Sequence, residues 1–258
     1  MQPKGLSLTV CGRGAPLVLI PGWAMHSGVW GEFAVRLAQA FLVLSVDLPG
    51  HGLSPRWEHW TLKATANKLA NAIPERALCL GWSLGGQVAL ELAWRHPAKV
   101  AGLVLLATNP KFLAEGCWPG MAPEVFEAFV RGVETQTQAT LQRFLALCCL
   151  GGEDCGQILR RLQRAWEAYP APSLSVLRQG LEILRRTDLR GKLAQISCPV
   201  TVVAGQKDRL VPKEALEQLA ASLPKARFKS LEGAGHVPFL SHPKELADLV
   251  REFAADVR

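Results

Sequence analysis

The run Gly81-Trp82-Ser83-Leu84-Gly85 places a hydroxyl between two glycines, where an apolar stretch, ALCLGW (77–82), passes directly into a helix-like one. In a G-x-S-x-G elbow the serine rides a tight strand-to-helix turn, and the glycines remove side chains that would collide there. Gly86 adds a further small residue at the approach of helix to strand. A glycine-bounded turn with a solvated serine is the bland alternative, and the strand before and helix after weigh against it.

A serine hydroxyl is a weak nucleophile until a base takes its proton. The histidines are His26, His51, His59, His96, His236 and His242. His236, in LEGAGHVPFLSHP, follows the last strand-like run in a glycine-rich loop, and position favours it. His51 lies in the DLPGHG turn. His96 ends a helical stretch, where a cation is favoured, and His242 precedes Pro243 at the start of the final helix. The base needs an acid to fix its tautomer, and Asp208 ends the run PVTVVAGQKD, between the serine and His236 in chain order. Asp47 reads as the anchor of the DLPGHG turn and Asp188 as a solvated charge. The end of VAGLVLLAT supplies only Thr108 and Asn109. Backbone N–H groups must then meet the developing oxyanion. The residue after the serine, Leu84, supplies one, and Trp23 in IPGWAMHSGVW supplies the other, while its indole lines a pocket or the core.

The elements that position these residues alternate. Strand-like runs fall at 15–23, 41–50, 77–82, 100–108, 199–208 and 226–233, short and rich in Val, Leu and Ile, as in strands covered on both faces. The N-terminus adds a short strand and a glycine turn before them. Helical spacing occupies 30–40, 62–73, 85–96, 213–223 and 243–256. This alternation predicts an α/β fold with a mostly parallel sheet flanked by helices. From Asn109 to about Lys192 only helical pieces appear, broken by Pro119, Pro123, Gly151-Gly152 and Pro170-Ala171-Pro172. So long a segment does not stay structureless in a compact domain. The expected organisation is a core of 1–109 and 193–258 with a helical cap, 110–192, over the carboxyl ends of the strands.

The bulk numbers are those of a globular chain: 258 residues, 49% hydrophobic and 20% charged. No window approaches the ~20 apolar residues of a membrane span, and no secretory leader reads at the N-terminus. The expected compartment is the cytosol. Cys11, Cys79, Cys117, Cys148, Cys149, Cys155 and Cys198 lack any CxxC spacing, so neither a zinc site nor a redox motif is expected, and most read as small buried hydrophobes. The formal net charge of +7 favours acidic partners without identifying them. No nucleic-acid motif accompanies it.

Taken together, the elbow, the DLPGHG turn, the GQKDRLVP loop and the GAGHVPF loop resemble the α/β-hydrolases over essentially the full length. LGWSLGG, WPGMAPEVFEAF (118–129), RFLALCCLG (143–151), GLEILRRTDLR (180–190) and HVPFLSHP (236–243) are similar, more narrowly, to the pimeloyl-acyl-carrier-protein methyl ester esterases of biotin synthesis. The resemblance implies a seven-carbon diacid substrate, thioesterified to an acyl carrier protein at one end and methyl-esterified at the other. Ser83, His236 and Asp208 would form the triad, with no metal or cofactor, and the enzyme would be a monomer. Carrier docking would use cap arginines: Arg143 and Arg160 match the family positions, Ala139 and Gly156 depart from them, and neighbouring Arg161 and Arg164 could compensate. A solvated helix face is the other reading of these charges. Pro21 departs from the histidine common before the oxyanion-loop glycine. Phe144 is a candidate wall for the acyl chain or a plain core aromatic. A broad carboxylesterase or lactonase, or a non-catalytic binder on the same scaffold, are the alternative functions.

Overall fold

Valine, leucine and isoleucine fill the strand positions because helices cover both faces of the sheet they build. The computed structural model describes residues 5–152 and 154–257. The strands are β1 (Leu8–Gly12), β2 (Ala15–Ile20), β3 (Phe41–Val46), β4 (Ala77–Trp82), β5 (Val100–Leu106), β6 (Val200–Gly205) and β7 (Ala226–Leu231). They form one seven-stranded sheet in the order β1-β3-β2-β4-β5-β6-β7. Only β1 runs antiparallel, against β3, and the other neighbours are parallel. The edge strand β1 has only half-buried and exposed positions, whereas every residue of β4 is buried. The strand that delivers Ser83 thus lies in a fully buried part of the sheet, its Gly81 opposite Ile20 of β2 and Leu105 of β5.

The flanking helices are α1 (Gly31–Leu37), α2 (Leu62–Ala72), α3 (Leu84–Arg95), α8 (Lys213–Ala221), the short α9 (Pro238–Ser241) and α10 (Pro243–Val257). Thr61 caps α2 through its side-chain oxygen, which accepts from the Ala64 amide at 3.1 Å and satisfies one orphan N–H of the first turn. On α10 the buried residues Leu246, Val250, Phe253 and Ala254 recur at helical spacing and form its core face. Each large apolar side chain on such a face contributes on the order of 1.5–3 kcal/mol. Phe253 packs where β5 carries Gly102, whose missing side chain leaves room for the ring.

Between β5 and β6 the chain forms α4 (Pro123–Thr135), α5 (Thr137–Cys149), α6 (Cys155–Trp166) and α7 (Leu174–Arg186), the helical stretch expected from the absence of strand patterning. Arg185 of α7 holds Glu127 of α4 by two N–H···O bonds of 3.0 and 2.9 Å, and Arg178 pairs with Glu134 at 3.0 Å. Asn109 organises the entry to this segment: its amide nitrogen donates to Pro119 O at 3.0 Å and its oxygen accepts from the Trp118 indole at 2.9 Å.

Two expectations change. The strands stop short of the apolar runs: β2 ends at Ile20, β3 at Val46, β5 at Leu106, β6 at Gly205 and β7 at Leu231. The residues beyond, Trp23, Leu48 and Ala107 among them, are buried without being strand, and Trp23 lies against the inserted helices through Leu177 O and the Phe129 and Phe144 rings. Asp188 is not a free solvated charge. It is bound by Arg190 through N–H···O contacts of 3.0 and 2.7 Å, which hold its carboxyl below the usual carboxylate range.

Candidate active site

Ser83 leaves β4 with φ +55° and ψ −120°, a conformation that a residue with a β-carbon rarely adopts. The surrounding packing holds it there. Its amide donates to Leu106 O at 2.9 Å and its carbonyl accepts from the Gly86 amide at 3.0 Å. A β-carbon at Gly85 would strike the Ile20 carbonyl, and one at Gly86 would strike the Thr108 hydroxyl. The elbow needs its glycines for close approach.

His236 follows β7 on a loop anchored twice. Its amide donates to Cys148 O at 3.0 Å, and its carbonyl accepts from the Trp82 indole at 2.8 Å. The imidazole Nδ1 faces Asp208 Oδ2 at 2.7 Å, with both side chains only 2% exposed. The other carboxylate oxygen of Asp208 accepts from the amides of Leu210 and Val211 at 2.8 and 3.1 Å. With Oδ1 occupied by backbone donors, Oδ2 is left to receive the imidazole N–H, which fixes Nε2 as the lone-pair nitrogen. Cys148, beneath the same loop, is fully buried, and that burial pushes its thiol well above its ordinary range. Among the described residues, no His/Cys/Asp/Glu group is arranged to hold a metal ion.

Ser83 and His236 open onto one cavity of about 80 Å³. They are the polar members of its wall. The rest is apolar and comes mainly from the inserted helices, including Phe126, Phe129, Phe144, Leu147 and Leu181. Trp23 closes one side, its ring meeting Phe129 and Phe144 edge-on with centroids 5.4 and 5.1 Å away. Its indole N–H donates to Leu177 O of α7 at 3.0 Å, so its side chain is satisfied in the wall. The Trp23 and Leu84 amides have no hydrogen-bond acceptor among the described residues. Two larger spaces, of about 600 and 650 Å³, are open grooves lined largely by polar and charged side chains, one beside the start of α10 and one between the start of α2 and α7.

The structure therefore brings Ser83, His236, Trp23 and Phe144 to one cavity and backs His236 with Asp208. Asp47 anchors the turn after β3, accepting from the Ser27 amide at 2.6 Å and the Leu53 amide at 2.9 Å. Of the surface arginines, Arg143, Arg160 and Arg164 are exposed and without an ion-pair partner among the described residues. Arg161 is engaged: it pairs with Glu32 of α1 at 3.0 Å and donates to Leu240 O at 3.0 Å. That contact fastens α6 to the core, so Arg161 is not a free replacement for the charges absent at Ala139 and Gly156. Sequence patterning passed over His26 and Trp166. They meet across 140 residues, and nothing local in the sequence marks such a contact.

A parallel sheet with a serine elbow at its centre and an acid-backed imidazole beyond its last strand defines an α/β-hydrolase. The sequence model of the alpha/beta hydrolase family matches residues 17–249, and the chain belongs to that family. It is 41% identical over 251 residues to the pimeloyl-acyl-carrier-protein methyl ester esterase of Methylococcus capsulatus, covering 97% of this chain and 99% of that one. The esterase of the same name from Photorhabdus laumondii is 42% identical over 239 residues, 93% of this chain and 92% of the relative. Among solved structures, an esterase from Exiguobacterium antarcticum superposes with a TM-score of 0.88, covering 96% of this chain and 94% of that one. At 22% identity that likeness concerns the fold.

Proposed function

We propose that this chain is a serine carboxylesterase that removes the methyl group from pimeloyl-acyl carrier protein methyl ester, yielding pimeloyl-acyl carrier protein and methanol in biotin synthesis. The observation that carries the reading is one cavity, apolar except for Ser83 and His236. An apolar wall suits the methylene chain of a diacid, and the polar end suits its ester. The two relatives with esterase names support the substrate, since they match nearly their full length.

In this mechanism His236 Nε2 takes the Ser83 proton as Oγ attacks the ester carbonyl, and Asp208 steadies the imidazolium. The amides of Trp23 and Leu84 receive the oxyanion. The tetrahedral intermediate expels methoxide, protonated by His236, and leaves an acyl-serine. Water, deprotonated by the same imidazole, then attacks the acyl-serine and releases the free carboxylate. Helices α4, α5 (with Phe144) and α7, within the proposed cap of residues 110–192, form the acyl wall and exclude bulk water. The exposed, unpaired Arg143, Arg160 and Arg164 are the proposed contacts for an acidic carrier, whose carboxylates they can meet with paired N–H donors. The proposed compartment is the cytoplasm, and no described helix is long and apolar enough to cross a membrane.

The test offers methyl pimeloyl-acyl carrier protein beside methyl pimelate, with products weighed by mass spectrometry. The expected result is loss of 14 Da from the carrier-linked ester with the thioester intact, at a kcat/KM well above that for the free ester, and no turnover by Ser83→Ala. Equal rates on both esters would favour a broad carboxylesterase. An active Ser83→Ala would end the serine mechanism.

A further inference from the structure

The turn that carries the Trp23 amide is strained, and the inserted helices hold it. Residues Gly22 to Met25 close a tight turn through the Met25 amide and Gly22 O at 3.3 Å. Its third residue, Ala24, has φ +61°, where a β-carbon is disfavoured and glycine is usual. Trp166, the last residue of α6, grips this turn at two points. Its indole N–H donates to Ala24 O at 2.9 Å, and its carbonyl accepts from His26 Nε2–H at 3.0 Å. His26 Nδ1 in turn accepts from the Gly28 amide at 3.1 Å, so a single tautomer satisfies both bonds. The imidazole also lies edge-on to Tyr169, with centroids 4.6 Å apart. The Trp23 ring is pinned separately from α7 by Leu177 O, and it fills space left by Gly180, where a β-carbon would lie 2.6 Å from the indole.

We propose that Trp166 and His26 are positioning residues for the reaction. By holding Ala24 in its left-handed conformation, they aim the neighbouring Trp23 amide at the oxyanion. This rests on the serine-esterase reading above. The inserted helices are then part of the catalytic geometry as well as a cover. If α6 loosens, Ala24 relaxes and the amide turns away, so catalysis falls while the cavity still admits substrate.

The experiment uses Trp166→Phe, which keeps an aromatic ring but removes the donor to Ala24 O. It reads hydrolysis of p-nitrophenyl butyrate and inhibition by octyl trifluoromethyl ketone, whose serine adduct carries an oxyanion. The expected result is a fall in kcat of about tenfold, a KM within about twofold of the parent, and a ketone Ki raised about tenfold. Adding Ala24→Gly, which removes the β-carbon that makes the turn costly, should restore most of the lost kcat. Arg178→Ala, which breaks the α7–α4 ion pair away from this turn, should leave kcat and Ki near the parent values. If Trp166→Phe does not fold, His26→Phe replaces it and should give the same kcat and Ki signature. Parental kcat and Ki in the variant, or a lower kcat with an unchanged Ki, would overturn the positioning role. A parent that neither cleaves the ester nor binds the ketone would instead defeat the esterase reading.

Discussion

Lowering the pH should destabilise this protein through one imidazole outside the active site. His51 is fully buried in the turn after β3. Its Nδ1–H donates to Pro49 O at 3.0 Å, its ring meets Trp60 edge-on at 5.4 Å, and its Nε2 has no partner. A second proton would therefore create a buried cation with an unsatisfied donor. Burial is the largest cause and lowers the pKa to about 4, with the Pro49 bond and nearby Asp47 opposing it in part. A fall from 6.5 to about 4 corresponds to about 3 kcal/mol. The sign follows from proton binding. Below pH 6.5 the unfolded chain takes up the proton that the folded chain refuses, so stability falls from pH 6.5 down to about 4 and this contribution then levels off. The assay is urea unfolding across this range on the parent and on His51→Asn. The asparagine amide can still donate to Pro49 O but does not titrate, and subtracting the two curves removes the carboxylates common to both. The parent should lose about 3 kcal/mol more than the variant between pH 6.5 and 4. Parallel curves would refute the claim that this imidazole is kept neutral by burial.

Other perturbations probe the remaining parts of the site. Asp208→Asn should keep the Leu210 and Val211 amide bonds yet present an N–H to His236 Nδ1, which moves the ring proton to Nε2. Ester kcat should then fall about 10³- to 10⁴-fold with little change in thermal midpoint. Gly86→Ala places a β-carbon against Thr108, whose hydroxyl is tied to Leu106 O at 3.0 Å and cannot swing away freely. We expect a loss of about 2–4 kcal/mol in urea unfolding, partly recovered by adding Thr108→Ala. Arg143→Ala with Arg160→Ala should raise KM for the carrier-linked ester and flatten its salt dependence while sparing a small free ester. Equal effects on both substrates would remove these arginines from docking. Arg161→Ala should instead lower the thermal midpoint through loss of the α6–α1 contact, with little selectivity between substrates.

The sequence made the chemistry legible where local geometry and chain order coincide. Ser83 is marked by Gly81 and Gly85, two residues to either side, which the elbow needs because backbone lies where their β-carbons would fall. Asp208 and His236 are marked by their place just after strands β6 and β7, because the carboxyl ends of parallel strands converge on one edge of the sheet. The strand ends were harder to read for a related reason. Residues such as Trp23 and Leu48 are apolar and buried beyond their strands, Trp23 against the inserted helices, so hydropathy alone does not show where pairing stops. The ties between insertion and core left no local signal at all. Trp166 reads as one more apolar residue on an amphipathic helix, and Ala24 as an ordinary small residue. Only folding shows that the first grips the second, and that the residue in the strained turn is an alanine where backbone preference would favour glycine. Arg161 shows the same limit from the charged side: in sequence it neighbours Arg160, at a family docking position, and only the position of Glu32, 129 residues away, makes it a strut. Motifs report groups that must lie near their own backbone turn. Contacts that set how the helical insertion seats on the core depend on residues far apart in the chain, and their function becomes readable only when both partners are seen in place.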